Sequence, residues 1–190
     1  MKVKSLLAIS ALFLLAACGP IIGQAMVASN GVKDFKVVKG NLADLRAGQK
    51  LLVVAPFATT PESFYICRGE DASVFVDSFN GTGLFSADFH MTGQFEDNGP
   101  LIVALKKSSP EAIRSKLELA AAPDLLLTGT IVSRETVAAP AKGIVMKVTY
   151  RLEFTDLKSG KTTVVEVDVQ DYFQECIPTV VKELMKRISG

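Results

Sequence analysis

The chain has 190 residues, 48% of them hydrophobic, with 21 Lys and Arg against 20 Asp and Glu. Near-neutral charge gives no electrostatic case for nucleic acid or an anionic substrate, and a single histidine, His90, with no tryptophan leaves few parts for catalysis. The apolar share suffices for a real core, and the length makes one domain the default.

The chain opens with Lys2 and Lys4, an uncharged apolar run, and the small residues Ala16 and Ala17 ahead of Cys18. That order is the basic region, short apolar region and small-residue cleavage zone of a secretory signal. A run of about 13 residues from Ser5 is too short for a stable span of roughly 30 Å of hydrocarbon, which takes about 20. The tetrad Leu15-Ala16-Ala17-Cys18 resembles the lipobox of bacterial lipoproteins, in which the cysteine is acylated, with fatty acids such as palmitate, and becomes the first mature residue. An ordinary signal peptide that happens to end at a cysteine is the alternative. The resemblance implies a signal peptide over 1–17, lipidation at Cys18, a short tether over 18–33, and one periplasmic α+β domain over 34–190. Several acyl chains hold a protein stably in its leaflet. Gly19, where many Gram-negative lipoproteins carry an inner-membrane-retaining Asp, points to the periplasmic face of the outer membrane. With Cys18 acylated, Cys67 and Cys176 are left as an even pair in an oxidising compartment. A bridge between them closes a loop of about 110 residues, worth about 4 to 5 kcal/mol before strain; two buried free thiols are the alternative.

After the tether a short strand is predicted over 35–38, then a linking segment "GNLADLRAGQ". The continuous apolar run "LLVVAPF", 51–57, reads as a strand buried on both faces. A helix follows over 70–80, with Val74, Phe75, Ser78 and Phe79 on one face and Gly81 and Gly83 as stops. "SADFHM" reads as a second strand, and "LIVAL" after Asn98-Gly99-Pro100 as a short helix or a strand. Ser109-Pro110-Glu111 starts a firmer helix, with Ile113, Leu117, Ala120 and Ala121 at helical spacing and Pro123 as its end. A strand over 125–132 is joined by a loop, 133–143, to the alternating runs 146–154 and 165–169, which period two marks as strands with one wet face. "DLKSGK" turns between those two as a hairpin loop, and a last helix, 177–188, carries Val181, Leu184, Met185 and Ile188 on one face. The class is α+β, a mixed and largely antiparallel sheet with helices packed on one face.

Three segments resemble the superfamily of the TolB amino-terminal domain, the curli secretion lipoprotein CsgG and the penicillin-binding-protein activator LpoB. They are "LLVVAPF" with a helix ending in "GLF", "APDLLLTGTI", and "VTYRLEFTDLKSGK". The resemblance spans about residues 50–171. It implies a periplasmic adaptor domain rather than an enzyme, with no cofactor and with a protein partner in the periplasm or outer membrane. A subunit of an oligomeric outer-membrane secretion complex is the second reading, and a periplasmic hydrolase the third. A CsgG-like pore is not expected, because the interval 133–143 is too short for two membrane-spanning strands of about 9–11 residues each.

Individual residues add little chemistry. His90 alternates within "DFHM" as a strand residue does. Asp77, Asp88 and Asp156 become paired carboxylates only if the fold gathers them. "NGTG", 80–83, follows a helix instead of preceding one and so lacks the N-terminus that binds anions. No ligand spacing suggests a metal. The remaining surface is the polar face of the alternating strands, with Lys147, Arg151, Glu153, Glu166 and Asp168. It is either a solvated face or a docking surface whose charges select a partner.

Overall fold

A computed structural model describes residues 29–63, 70–93, 96–138 and 143–190. Its strands are β1 (Gly31–Lys39), β2 (Lys50–Ala55), β3 (Ala58–Thr59), β4 (Ser86–Met91), β5 (Leu125–Ala138), β6 (Val145–Asp156) and β7 (Thr162–Tyr172). The helices are α1 (Glu70–Thr82), α2 (Gly99–Lys106), α3 (Pro110–Leu117) and α4 (Cys176–Ser189). All the strands join one sheet in the order β1-β7-β6-β5-β2-β4, with β3 beside β5. β1, β7, β6 and β5 run antiparallel each to the next, while β5 is parallel to β2 and β3, and β2 is parallel to β4. The α+β class and the mixed, largely antiparallel sheet are as the sequence predicts.

The period-two pattern of β6 and β7 translates directly into faces. Val148, Tyr150, Leu152 and Phe154, with Val165, Val167 and Val169, point into the main core against α1 and α4. Fully burying each such side chain stabilises by about 1.5–3 kcal/mol. Aromatic rings link the layers: Phe75 of α1 meets the Tyr150 ring edge-on at 5.4 Å, and Phe79 meets Phe85 at 5.3 Å. In α1 the buried positions are Asp71, Ala72, Phe75, Val76 and Phe79, so the inward face is turned from the predicted one toward Ala72 and Val76.

Over β1, β7 and β6 the helices do occupy one face. The strand β2 cannot be served that way, because its residues 51–55 are all buried. Leu51 and Val53 enter the main core, whereas Leu52 and Val54 join Leu126 in a second cluster roofed by Leu105 of α2 and Ile113 of α3. A strand apolar on both sides demands cover on both, and α2 and α3 supply it.

Three boundaries differ from expectation. β1 begins at Gly31, inside the segment read as tether, because pairing with β7 orders the backbone from Gly31 onward. α3 stops at Leu117 instead of continuing to Pro123: Glu118 adopts a left-handed φ of 54°, and its N–H closes the helix onto the Arg114 carbonyl. β5 runs on through the predicted loop to Ala138, with irregularities between Ile131 and Ser133 and between Thr136 and Ala138. Those bulges break the alternation, which is why the sequence reads as a loop there. The connection to β6 is correspondingly shorter than the 133–143 interval.

The motifs 51–57 and 125–131 pair along β2 and β5 and are in tight contact again just beyond β2. β2 ends in a cis Ala55–Pro56 peptide, and the ring of Phe57 lies flat over Gly129 of β5, where an added Cβ sits 2.3 Å from a ring carbon. Only a residue without a side chain leaves the ring in place. Gly129→Ala is therefore expected to cost about 1–3 kcal/mol through overpacking, read as a lowered urea midpoint with unchanged slope; no shift means that Phe57 moves aside freely.

Candidate functional site

Lys147, Arg151 and Glu153 of β6 and Glu166 and Asp168 of β7 stand on one side of the sheet, opposite α1 and α4. Arg151 is directly across from Glu166, and Thr149 from Asp168. Neighbouring strands extend the rows: Thr130 and Ser133 of β5, and Asp34 and Lys36 of β1. The result is a band of mixed charge four strands wide, about 15 Å across at the usual strand spacing.

Several of these groups are engaged within the band. Ser133 donates to Thr149 Oγ1 at 2.9 Å, and Thr149 donates to Asp168 Oδ1 at 2.7 Å. Lys106 of α2 forms an ion pair with Glu153, and Lys36 one with Asp34 at 2.5 Å. Lys147 lies 4.0 Å from Glu135. Arg151 and Lys147 are the exposed cations at its centre. Asp34, Lys36, Glu135 and Ser133 belong to the same surface and were not among the residues picked from sequence. Their signal, alternation within β1 and β5, is interrupted by bulges in both strands.

At each free edge of the sheet some backbone groups are taken by nearby side chains. On β4, Asn80 of α1 donates to the Ala87 carbonyl at 2.9 Å and accepts from its N–H at 2.8 Å, and Asp88 accepts from the N–H of Phe89. On β1, Asp34 accepts from the N–H of Phe35 at 2.9 Å. Such caps blunt pairing with an incoming strand. Asn80 thus has a structural task, and Gly83 closes α1 at a φ of 67°.

The catalytic suspects do not converge. Asp77 is on α1, while Asp88 and His90 are on β4. Asp156 lies three strands from β4 in the β6–β7 turn. There it accepts from the N–H groups of Lys158 and Ser159. Partial burial pushes the Asp156 carboxyl up, but those bonds outweigh it and hold it below the usual range. A cleft of about 420 Å³ opens beyond the carboxyl end of β2, between Pro56, Phe57, Asn98 and Thr128. Asn98 there is used structurally, donating to the Pro56 carbonyl at 2.8 Å and accepting from Thr92. Among the described residues no cluster of His, Cys, Asp or Glu could hold a metal.

The principal polar feature missed from sequence is buried. The bulge at Val132 inverts the alternation of β5, so that Ser133 joins the polar face while Arg134, opposite Val148, turns toward α1. Arg134 Nη2 lies 2.5 Å from Asp71 Oδ1, and the Tyr150 hydroxyl donates to the same oxygen at 3.1 Å. The carbonyls at the bulge are taken by the segment after β3: Thr60 N–H and Ser63 Oγ donate to Ile131 O, and Thr60 Oγ1 donates to Val132 O. Burial pushes the Asp71 carboxyl up, more than the Arg134 charge and the Tyr150 bond pull it down. Arg134 is raised despite burial because Asp71 holds it charged. For a carboxyl moved upward, the stabilising form is the protonated one below the ordinary 3.8, so at neutral pH the ionised pair is kept at a cost that its hydrogen bonds offset. Its role is to set how α1 sits on β5.

Cys176, the first residue of α4, is buried beside this pair, its thiol 3.6 Å from Asp171 O and 3.5 Å from Tyr172 O. Burial and the nearby Asp171 charge push it from 9.0 up to about 12. The other cysteines singled out, Cys18 and Cys67, lie outside the described residues, as does any geometry of a bridge to Cys67.

No family model matches the chain, and neither does any curated protein. Among solved structures it is similar to the PelC dodecamer from Paraburkholderia phytofirmans, with 18% identity over 82% of this chain and 93% of that one, at a TM-score of 0.43. It is similar also to the hypothetical protein CT253 from Chlamydia trachomatis, with 12% identity over 75% and 94% at 0.41. A third is the lipoprotein GNA1162 from Neisseria meningitidis, with 13% identity over 74% and 98% at 0.37. These likenesses are distant, and no residue role is carried over from them. No described helix is long and apolar enough to cross a membrane.

Two outcomes follow from the buried groups. Asp71→Ala strands the Arg134 charge in the core and should cost about 3–5 kcal/mol, with much of the loss recovered when Arg134→Met is added; denaturant unfolding of the single and double variants separates this from simple loss of packing. Tyr150, like Cys176, is raised, here by burial and the Asp71 charge. The folded state therefore keeps protons that the unfolded chain gives up, and stability is full below about pH 9 and falls as pH climbs toward 12. A flat urea midpoint between pH 8 and 11 contradicts that assignment.

Proposed function

We propose that this protein is a lipid-anchored accessory of the bacterial envelope, non-catalytic, and that it docks a protein partner on the polar face of β1, β7, β6 and β5. The lipobox-like tetrad ending at Cys18 supports the anchor, and Gly19 supports the outer membrane as its site. The observation that carries the docking mode is the combination of an open charged face with partly capped edges. A partner that added a strand would have to displace Asn80, Asp88 or Asp34 from the backbone groups they occupy, whereas the face presents Lys147 and Arg151 without any such rearrangement. Charges arranged this way select a partner and set its orientation more than they add affinity. Envelope assembly, secretion or transport are the machines in which an adaptor of this kind serves.

A photo-crosslinking residue placed at Lys147 in cells, compared with one at Val103 on α2, tests the reading. A discrete envelope protein captured from position 147 and not from 103 supports it. The charge reversal Arg151→Glu, made in the protein that carries the crosslinker at 147, should lower that capture by about tenfold, the scale of one lost charge contact. Capture unchanged by the reversal removes the face as the docking surface.

A further inference from the structure

The chain enters the domain at one particular end of the sheet. Ser29 Oγ accepts from Gln170 Nε2 at 2.8 Å, Asn30 donates to Asp171 Oδ1 at 2.8 Å, and Gly31 pairs with Gln170. Two residues beyond Asp171, the N–H of Phe173 donates to the carbonyl of Ile144 at 2.9 Å. Val145 and Tyr172 pair just inside them. Ile144 and Phe173 are thus backbone neighbours at the end where the N-terminal segment departs. β1 and β6 are two strands apart, so the departure point and this pair are separated by about 10 Å.

Both side chains are large and apolar; Ile144 is 50% exposed, and Phe173 is 37% exposed with one face of its ring over the Arg134 guanidinium at 6.0 Å. The other exposed large apolar groups among the described residues are elsewhere, Val103 being on α2. Phe89 and Met91 lie on β4, five strands from β1, and Val37 and Val38 sit at the far end of β1. Residues 18–29 set how near the membrane this end must lie. Eleven steps of chain reach at most about 40 Å fully extended, and a coil of that length spans about 18 Å. The β6–β7 turn is a strand of 12 residues further away, about 40 Å. An anchor at Cys18 therefore keeps the Ile144 end on average nearer the bilayer than the β6–β7 turn.

We infer that the sheet stands end-on to the membrane, with Ile144 and Phe173 entering the headgroup region of the same leaflet that holds the acyl chains. The lipid surface is a second contact, added to the covalent anchor. Aromatic and large aliphatic side chains at the edge of the hydrocarbon are the usual means by which a peripheral domain is oriented. Tyr172, half-buried beside Phe173, adds a ring whose hydroxyl suits the same zone. The polar face of β6 and β7 then rises perpendicular to the leaflet and is open to the periplasm along its whole height. The inference rests on the lipid-anchored reading.

The absence of tryptophan makes the test direct. I144W and F173W each introduce a sole tryptophan at an exposed site, and M91W places one on the opposite edge. The full-length acylated proteins are reconstituted into vesicles of phosphatidylethanolamine with a minor share of phosphatidylglycerol, with and without phosphatidylcholine brominated high on its acyl chains. Emission from I144W and F173W should shift to the blue and be quenched by about twofold, while M91W stays unquenched. Proteins that float with the vesicles while I144W and F173W remain unquenched, or with M91W quenched equally, overturn the orientation and leave the anchor intact. Proteins that fail to float overturn both.

Discussion

The bulge at Val132 is the constraint on which the rest of the architecture turns. It lies in the middle of β5, the strand where the parallel half of the sheet, β4 and β2, meets the antiparallel half, β6, β7 and β1. One additional residue there exchanges inward and outward sides as far as the second irregularity, between Thr136 and Ala138. Ser133 is delivered to the polar band and Arg134 to the core, and without that exchange α1 has no ionic contact to position its first turn. The carbonyls freed by the irregularity are satisfied by Thr60 and Ser63, so the same residue ties down the segment leading out of β2. A bulge used in this way re-aims side chains and is part of the design of the sheet.

Burial distributes the remaining work. Residues 51–55 of β2, with residues 125–127 of β5 beside them, are apolar on both sides and force two helical layers where β6, β7 and β1 need only one. The small layer of α2 and α3 covers that requirement and stops, leaving the polar side of β6, β7 and β1 uncovered. Lys106 at the end of α2 reaches Glu153 at the border of the band. The uncovered surface is thus a by-product of where the two-sided strand lies, and the ionic groups on it are satisfied locally enough to be soluble without being sealed.

Much of this was legible in the amino-acid order. Alternation along 146–154 and 165–169 identified β6, β7 and their wet faces, and the unbroken run 51–57 identified a doubly buried strand. The consequence of that run, a helix layer on each side, conflicted with the single layer inferred from element order, and packing resolved the conflict. What was hidden has specific causes. A bulge destroys the period that pattern reading depends on, so 133–138 reads as a loop and nothing in it singles out Arg134. The stop of α3 at Glu118 relies on a left-handed backbone that no glycine advertises. The coupling of Arg134, Asp71 and Tyr150 joins three distant stretches and has no local signature at all.

The pairing of Gly31 with Gln170 makes the first described strand wait for the last one. Contact order this high slows folding, and for a chain synthesised from its N-terminus the delay has a definite sequence. β1 emerges first and, as an edge strand paired only with β7, has no partner until nearly the whole domain has followed it. During that interval its exposed valines and unpaired backbone are the aggregation-prone part of the chain. Lysines at positions 33, 36 and 39 repeat through it at every third residue, and their charge keeps the waiting strand soluble.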